Sequence, residues 1–377
     1  MIGQAAGSVE QFAARLPVML ADLERLVTCE SPSSDLAAVA RSAEVVAQLG
    51  AERLGSTPEY LVVDGCTHLR WRLGDGPRRV LVLAHHDTVW PIGSLATHPF
   101  RNENGVLRGP GSFDMKAGLV MALHAISAVP SASVTLLVTG DEELGSLSSR
   151  TLIEAEAATC SAALVLEASA DAGALKLERK GVSMYEVRIA GRAAHAGLEP
   201  ELGVNASVEA AHQVLAISNL GDADRGTTVT PTALTSGTTR NTVPAAATFF
   251  VDARAWDIEE QLRVDAAMQA LRPVLPGSSL EVLGGPNRPP LECKMSEDLY
   301  ARASRLAAGL GLPPLRSVAV GGGSDGNFTA GIGTPTLDGL GAVGGGAHAD
   351  DEHVLVDELA PRTALLAALI TDLLDTP

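Results

Sequence analysis

The chain is poor in cysteine and in aromatic residues. It has four cysteines among 377 residues, and no two of them stand in a C-x-x-C spacing. This pattern argues against a disulfide framework or a thiolate zinc site, and it is typical of a reducing compartment, so we expect a cytoplasmic location. Aromatic residues make up only 3% of the chain, which disfavours stacking surfaces for single-stranded nucleic acid.

Basic charge and long apolar runs are scarce as well. Lys and Arg number 28 against 45 Asp and Glu, a formal net charge of -17, so the chain offers no basic face for phosphates. The longest uninterrupted apolar run, residues 364–370, falls far short of the roughly 20 residues that span a bilayer. The first ten residues lack the pattern of a secretory signal. We therefore expect neither a nucleic-acid partner nor a membrane location.

What the chain does have is an alternation of helix and strand patterns. Apolar runs at 80–84, at 134–138 (with Thr135 as its one polar residue) and at 162–166 are typical of buried parallel strands. Helical patterns alternate with them, for example over 36–54 and 144–158. The alternation predicts an α/β fold with a mixed, mostly parallel sheet flanked by helices.

The strand pattern changes in the middle of the chain. From about Leu177 onward the strands mix apolar and polar residues, as a half-exposed sheet does, until Pro286–Pro290, which we interpret as a hinge. The earlier pattern then returns. We predict a discontinuous α/β domain over 1–176 and 287–377, with a small α+β domain, 177–286, inserted into it.

Residues that can bind a metal ion follow each of the three apolar runs. They are His85-His86-Asp87, Asp141-Glu142-Glu143 and Glu167. The carboxyl ends of parallel strands are where ligands bind in open α/β sheets. Two further candidates are Asp114, in a glycine-rich turn before a helix, and His348, after a run of glycines that allow close backbone approach.

Each fragment also has a plain structural interpretation. The His–Asp pair is compatible with a surface turn, the acidic run with a helix N-terminus, and Asp114 with an N-cap. The glycine-rich stretches 321–326 and 341–346 are compatible with flexible loops, and they lack the Lys-Ser/Thr of a phosphate loop. The recurrence at three strand ends, in a chain with only 9 His, favours a metal site.

The type and number of these ligands indicate which metals fit. Nitrogen and oxygen ligands without thiolates suit zinc, cobalt or manganese. Two histidines and three carboxylates are too many for one tetrahedral ion with an open position. They suit two ions about 3.5–4 Å apart that share a bridging carboxylate.

Five motifs, in this order, carry a family resemblance. They are Ala-His-His-Asp-Thr-Val (84–89), Gly-Ser-Phe-Asp-Met-Lys-Ala-Gly (111–118), Gly-Asp-Glu-Glu-Leu-Gly-Ser (140–146), Gly-Arg-Ala-Ala-His-Ala-Gly (191–197) and Arg-Asn-Thr-Val-Pro-Ala (240–245). Together they resemble the M20 family of metallopeptidases and amidohydrolases over nearly the whole chain, and within it the glutamate carboxypeptidase (carboxypeptidase G2-like) branch. The resemblance implies a zinc-exopeptidase-like catalytic domain, two divalent metal ions, with zinc favoured over cobalt or manganese, and a homodimer built through the inserted domain.

The resemblance also implies a role for individual residues. The implied metal ligands are His85 and Glu167 for the first ion, Glu143 and His348 for the second, and Asp114 as the bridge. The implied catalytic residues are Glu142 as general base, Asp87 as the carboxylate that orients His85, and His195, which reaches a neighbouring subunit's site to stabilise the oxyanion. The implied substrate-binding residues are Asn241, Arg288, Gly323 and Ser324. His86 stands at a variable position of the motif and is assigned no metal.

Two activities fit this resemblance, and a third possibility lies outside the enzyme class. The first activity is a carboxypeptidase-like hydrolysis that releases an amino acid, glutamate among the candidates, from an acyl or peptidyl group. The second is deacylation or desuccinylation of a small biosynthetic metabolite. A catalytically inactive metal-binding scaffold is the remote alternative, and the intact set of ligands and base argues against it.

Overall fold

The computed structural model describes residues 7–375. In chain order, the α-helices of this part are α1 (Val9–Thr28), α2 (Leu36–Leu54), α3 (Ala117–Ser127), α4 (Arg150–Ala157), α5 (Ala206–Ser218), α6 (Ile258–Gln269), α7 (Glu297–Gly309), α8 (Gly326–Gly331) and α9 (Leu359–Asp375). The strands are β1 (Glu59–Val63), β2 (Cys66–Leu73), β3 (Val80–His85), β4 (Arg101–Glu103), β5 (Val106–Arg108), β6 (Val134–Thr139), β7 (Ala162–Val165), β8 (Leu175–Arg179), β9 (Gly181–Ala190), β10 (Thr228–Ser236), β11 (Ala246–Ala255), β12 (Ser279–Arg288), β13 (Ser317–Val320), β14 (Thr336–Leu337), β15 (Gly344–Gly345) and β16 (His353–Leu355). Among the helices within 7–375, none combines the length and the apolar character that a bilayer crossing requires.

The largest sheet has six strands in the order β1-β2-β6-β3-β7-β14. Strands β6, β3, β7 and β14 run parallel, whereas β1 and β2 join the sheet antiparallel. The predicted α/β fold with a mixed, mostly parallel sheet is therefore confirmed. Because β3 pairs His85 with Thr139 of β6 and Leu83 with Val165 of β7, the carboxyl ends of these three strands lie along one edge of the sheet.

Both faces of this sheet are buried at β3, β6 and β7, which explains why these three strands are largely apolar. In β3, Val80 and Val82 belong to a large hydrophobic cluster that includes residues of α1, α3 and α9. Leu81 and Leu83 face the other way, into a smaller cluster with Ile153 of α4 and residues of α8. A strand covered on both faces has no solvent side that would call for polar residues.

The chain divides into two compact units. The first comprises residues up to Glu178, Cys293–Val320 and the chain from Ser324 onward; the second comprises Arg179–Glu292 with Gly321–Gly323. In the second unit, an antiparallel sheet of order β10-β11-β9-β12 packs with α5 and α6. The predicted hinge at Pro286–Pro290 stays a prediction; β12 includes its first part, pairing Pro286 with Ser183 and Arg288 with Val182 across a bulge, and ends at Arg288.

A buried charge cluster connects three helices of the first unit. Asp22 of α1 is 1% exposed and accepts hydrogen bonds from Arg53 Nε and Nη2, both at 2.7 Å, and from His124 Nε2 at 2.8 Å. Burial alone would raise the pKa of the Asp22 carboxyl. The hydrogen bonds from Arg53 and His124 outweigh it and lower this pKa to about 2.

We expect Asp22→Asn to reduce the free energy of unfolding at pH 7 by about 2–3 kcal/mol, because Arg53 then loses its charged acceptor. A carboxyl whose pKa is lowered on folding stabilises the fold above its unfolded pKa, and this contribution is lost as the pH falls from about 4 to about 2. The difference between wild type and variant should therefore be roughly halved at pH 3. Urea unfolding at both pH values measures it.

The matched control for this cluster is the exposed ion pair between Arg25 and Glu52, whose side chains are 38% and 47% exposed. Glu52→Gln should cost less than about 1 kcal/mol, because water screens such pairs. Equal losses for Glu52→Gln and Asp22→Asn would contradict a special contribution from the buried cluster.

Candidate metal centre

His85 is the last residue of β3; one of its ring nitrogens is hydrogen-bonded, and the other points toward two carboxylates. It is 1% exposed, and its Nδ1 lies 3.0 Å from the backbone oxygen of Asp87, so Nδ1–H donates there. Its Nε2 lies 3.4 Å from Asp114 Oδ1 and 3.5 Å from Glu167 Oε1. Within residues 7–375 this buried nitrogen has no hydrogen-bond partner. Two ligands of one tetrahedral zinc ion are about 3.4 Å apart, so the arrangement fits an ion bound between them.

His348 forms a second, similar group. It follows the glycine run and adopts a left-handed backbone conformation, φ 62°. Its Nε2 lies 3.1 Å from Glu143 Oε2 and 3.4 Å from Asp114 Oδ2. His348 is half exposed, whereas the side chain of Glu143 is only 7% exposed, so this group is the more open of the two.

Asp114 joins the two groups. One of its carboxylate oxygens faces His85 and the other faces His348, which is the arrangement expected of a carboxylate that bridges two cations. Burial would raise the pKa of Asp114, but the adjacent imidazoles of His348 and His85 outweigh it and lower this pKa. The carboxylates of Asp114 and Glu143, as acceptors for the imidazole of His348, in turn raise its pKa to about 10. The negative potential of these carboxylates also attracts divalent cations.

Glu142 lies beside the first group. It is 8% exposed and belongs to a short 3₁₀ turn, Glu142–Leu144, that follows β6. A carboxylate oxygen of Glu142 lies within 4.8 Å of ligand atoms of both His85 and Glu167. Its carboxylate is thus near the ligands without being needed to complete either set, the position expected of a general base.

Asp87 holds two parts of the site together. Its Oδ1 lies 3.4 Å from His85 Nδ1, and its carboxylate accepts the backbone N–H groups of Glu142 at 3.3 Å and Glu143 at 3.2 Å. Ser33 donates a further hydrogen bond at 2.6 Å. The predicted orienting role for His85 is thus shared between the carbonyl and the carboxylate of Asp87. The same carboxylate also fixes the turn that carries the base, which the motif did not indicate.

The neighbouring His86 has a different environment. It is fully buried, and its Nε2 lies 3.1 Å from the backbone oxygen of Thr67. Burial lowers the pKa of its imidazole to about 4. The side chain is absent from both groups of metal-ligating atoms that surround His85, in line with its assignment to no metal.

A third group with metal-ligating atoms, Cys66, His68 and Asp141, is a hydrogen-bond network. His68 Nδ1 accepts the Gly140 N–H, so the ring proton is on Nε2, which lies 3.1 Å from the hydroxyl of Ser148. Asp141 accepts from the hydroxyls and backbone N–H groups of Ser148 and Ser149. The lone pair of His68 Nδ1 and those of Asp141 Oδ2 are thus already used, and burial raises the pKa of the Cys66 thiol.

Sequence reasoning missed Glu352. It lies four residues after His348 and is 3% exposed. Its carboxylate accepts hydrogen bonds from the turn that carries Asp114. The acidic run Asp350-Asp351-Glu352 has the composition of a solvated loop, and only the spacing from His348 could have drawn attention to it.

The structure also shows where His195 and the predicted substrate-binding residues lie. His195 and Asn241 are exposed on the second unit, and Arg288 is 9% exposed at the end of β12. The carbonyl of Gly323 accepts from Arg179. Ser324 is fully buried, and its hydroxyl donates to Asp338 at 2.5 Å. The contacts of these residues with substrate stay predictions.

Two histidines and two glutamates around a shared aspartate, at the carboxyl edge of an α/β sheet, define the class of dinuclear metallohydrolases. The family model for peptidase family M20/M25/M40 matches residues 81–372. The chain belongs to this family and is a hydrolase of it.

Individual relatives agree with the family assignment. The chain is 32% identical to carboxypeptidase G2 from Pseudomonas sp. (strain RS-16), over 95% of this chain and 89% of that protein. It is 27% identical to succinyl-diaminopimelate desuccinylase 1 from Alteromonas mediterranea, over 82% and 85% of the two chains. The structure of an M20 family metallo-carboxypeptidase from Sulfolobus solfataricus superposes with a TM-score of 0.75 at 16% identity, over 95% and 99%. The predicted resemblance to the carboxypeptidase G2-like branch is confirmed.

Proposed function

We propose that this hydrolase uses two divalent metal ions, most favourably zinc, to cleave the amide bond of an N-acyl or peptidyl amino acid and to release the free amino acid. The observation that carries the proposal is the position of Asp114, with one oxygen toward His85, which also faces Glu167, and the other toward His348, which also faces Glu143. The identity with carboxypeptidase G2 supports carboxypeptidase-like chemistry.

The chain's own residues account for the proton movements. Bound divalent ions supply a Lewis acid for the scissile carbonyl and lower the pKa of water toward neutrality. Glu142 accepts the proton of the attacking water on its carboxylate and delivers it to the nitrogen of the leaving amine. Asp87 holds the backbone of Glu142 and Glu143 in place during both transfers.

His195 is suited to stabilise the developing oxyanion. Its Nδ1 accepts the N–H of Gly197 at 3.1 Å, so the neutral ring carries its proton on Nε2 and presents an N–H donor. Its backbone pairs with Thr242, next to Asn241, so His195 and Asn241 lie on the same part of the second unit. The reach of His195 into a neighbouring subunit's site, and the homodimer that this requires, stay proposals.

The test is a substrate panel on protein of known metal content. It comprises N-acyl glutamates, other N-acyl amino acids, dipeptides, N-acetylornithine and N-succinyl-diaminopimelate. Release of an amino acid from acyl or peptidyl substrates, lost on chelation and restored by zinc, is expected. Exclusive turnover of the last two compounds would favour the alternative, a biosynthetic deacylase or desuccinylase, which the relative from Alteromonas mediterranea supports. Bound metal with no turnover would indicate the inactive scaffold.

We expect Arg288 to recognise a substrate carboxylate. Its guanidinium can form two parallel hydrogen bonds to a carboxylate, which an ammonium cannot copy. For substrates with a free carboxylate, Arg288→Ala should lower kcat/KM by an amount that corresponds to about 2–4 kcal/mol of transition-state stabilisation. Arg288→Lys should recover only part of this loss. Amidated substrates should already be poor and lose little more. A purely structural role of Arg288 predicts equal losses of kcat/KM on carboxylate and amide substrates, and that result would rule out carboxylate recognition.

A further inference from the structure

Glu352 has a carboxylate whose hydrogen-bonding capacity is completely used, and three of its four donors belong to one turn. Oε1 accepts the backbone N–H groups of Phe113 at 2.8 Å and Asp114 at 3.0 Å. Oε2 accepts the N–H of Gly111 at 2.9 Å and the indole N–H of Trp90 at 2.6 Å. Each oxygen therefore has two donors, which is the full complement of a carboxylate.

The position of Glu352 in the chain gives this contact its significance. Glu352 and His348 belong to the same short segment, in which the Glu352 N–H donates to Ala349 and the Ala349 N–H donates to Gly346. One carboxylate thus joins the segment that carries His348 to the turn that carries Asp114. The distance between these two side chains, 3.4 Å from Nε2 to Oδ2, depends on that junction.

We propose that Glu352 is a positioning residue that fixes the backbone of Asp114 relative to His348 and thereby sets the affinity of the centre for its metal ions. The inference rests on the metal centre of the proposed function. Residues that orient metal ligands through hydrogen bonds change metal affinity by about 10–100-fold when they are replaced. Glu352 contacts no ligand atom itself and acts through the main chain of Asp114.

The informative variant is Glu352→Gln. The amide group of Gln has one acceptor oxygen and one NH₂ group, so in either orientation the NH₂ meets two N–H donors where an oxygen accepted them. The shape of the side chain is retained, but two of the four hydrogen bonds become repulsive contacts. Glu352→Asp keeps the charge but is one methylene shorter, so it should recover part of the function.

Two controls separate this effect from charge and from packing. Asp351→Asn removes the same charge from the adjacent, exposed position and should leave metal affinity unchanged. Trp90→Phe removes only the indole donor and leaves the three backbone N–H groups of Gly111, Phe113 and Asp114 on Glu352. It should weaken metal binding by much less than Glu352→Gln does.

The experiment measures binding of Zn²⁺ alone to chelator-stripped full-length protein by competition with a chromophoric chelator. Far-ultraviolet circular dichroism verifies that each variant is folded, and Co²⁺ absorption reports ligand geometry. We expect Glu352→Gln to fold, to bind Zn²⁺ about 10–100-fold more weakly, and to give an altered Co²⁺ spectrum. A folded Glu352→Gln protein with wild-type affinity and spectrum would overturn the inference.

The failure of the proposed function would look different. Wild-type protein that binds no Zn²⁺ would contradict the two-metal centre itself. Wild-type protein that binds two Zn²⁺ ions while Glu352→Gln binds them equally well would contradict only the role of Glu352. If Glu352→Gln fails to fold, Glu352→Asp replaces it, with an intermediate loss of affinity expected and wild-type affinity contradicting the inference.

Discussion

The Glu142→Gln variant should keep both metal ions, while its kcat should fall by about 10²–10⁴-fold, because an amide of nearly the same shape cannot accept the proton of water. The Glu142 carboxylate lies near ligand atoms of His85 and Glu167, and the proposed set of five ligands does not include it. The measurement pairs steady-state kinetics with metal analysis on the same protein sample, so that loss of turnover and loss of metal are separated.

The adjacent residue supplies the matched control. Glu143→Gln replaces the carboxylate that lies 3.1 Å from His348, and it should lose one metal ion along with activity. Glu142→Gln with near-normal turnover and normal metal content would show that Glu142 is not the base. Loss of metal from Glu142→Gln would instead make it a ligand.

Asp114→Ala should empty both metal positions, because the two ions share this carboxylate. Its oxygens face His85 on one side and His348 on the other, and each position is left with a single histidine and a single carboxylate. We expect metal content to fall from two ions to less than one per chain, and affinity to fall by more than the roughly 100-fold typical of residues that only support a ligand.

The control for Asp114→Ala is the exposed Asp171, whose replacement by Ala should leave metal content unchanged. A wild-type protein with one tightly bound ion and full activity would contradict the bridging arrangement. The same holds if Asp114→Ala retains one ion of wild-type affinity, because the two positions would then be independent.

Features that depend on a local pattern could be predicted from the sequence. Helix α2 has the predicted bounds, 36–54, because Asp35 caps its N-terminus and Gly55 ends it in a left-handed conformation. The three apolar runs form β3, β6 and β7, since burial on both faces favours apolar residues along the whole strand. The His, Asp and Glu residues that follow these strands indicate a metal centre from residue type and position in the sequence alone.

Other features depend on contacts between distant segments, and the sequence patterns were misleading there. The predicted helix over 144–158 begins only at Arg150, because Asp141 binds Ser148 and Ser149 and holds the preceding residues in a turn. The first part of the predicted hinge, up to Arg288, extends β12, because its backbone pairs with β9, about a hundred residues earlier in the chain.

The sequence by itself determined the α/β class, the main buried strands and the identity of the candidate ligands, because periodicity and residue type are properties of short segments. The tertiary structure decided which oxygen of Asp114 faces which histidine, and that Asp87 and Glu352 hold the turns of the site. These depend on hydrogen bonds between segments far apart in the chain, such as Glu352 and Gly111. No local pattern encodes such bonds, because their geometry exists only once the sheet has brought both segments to the same edge.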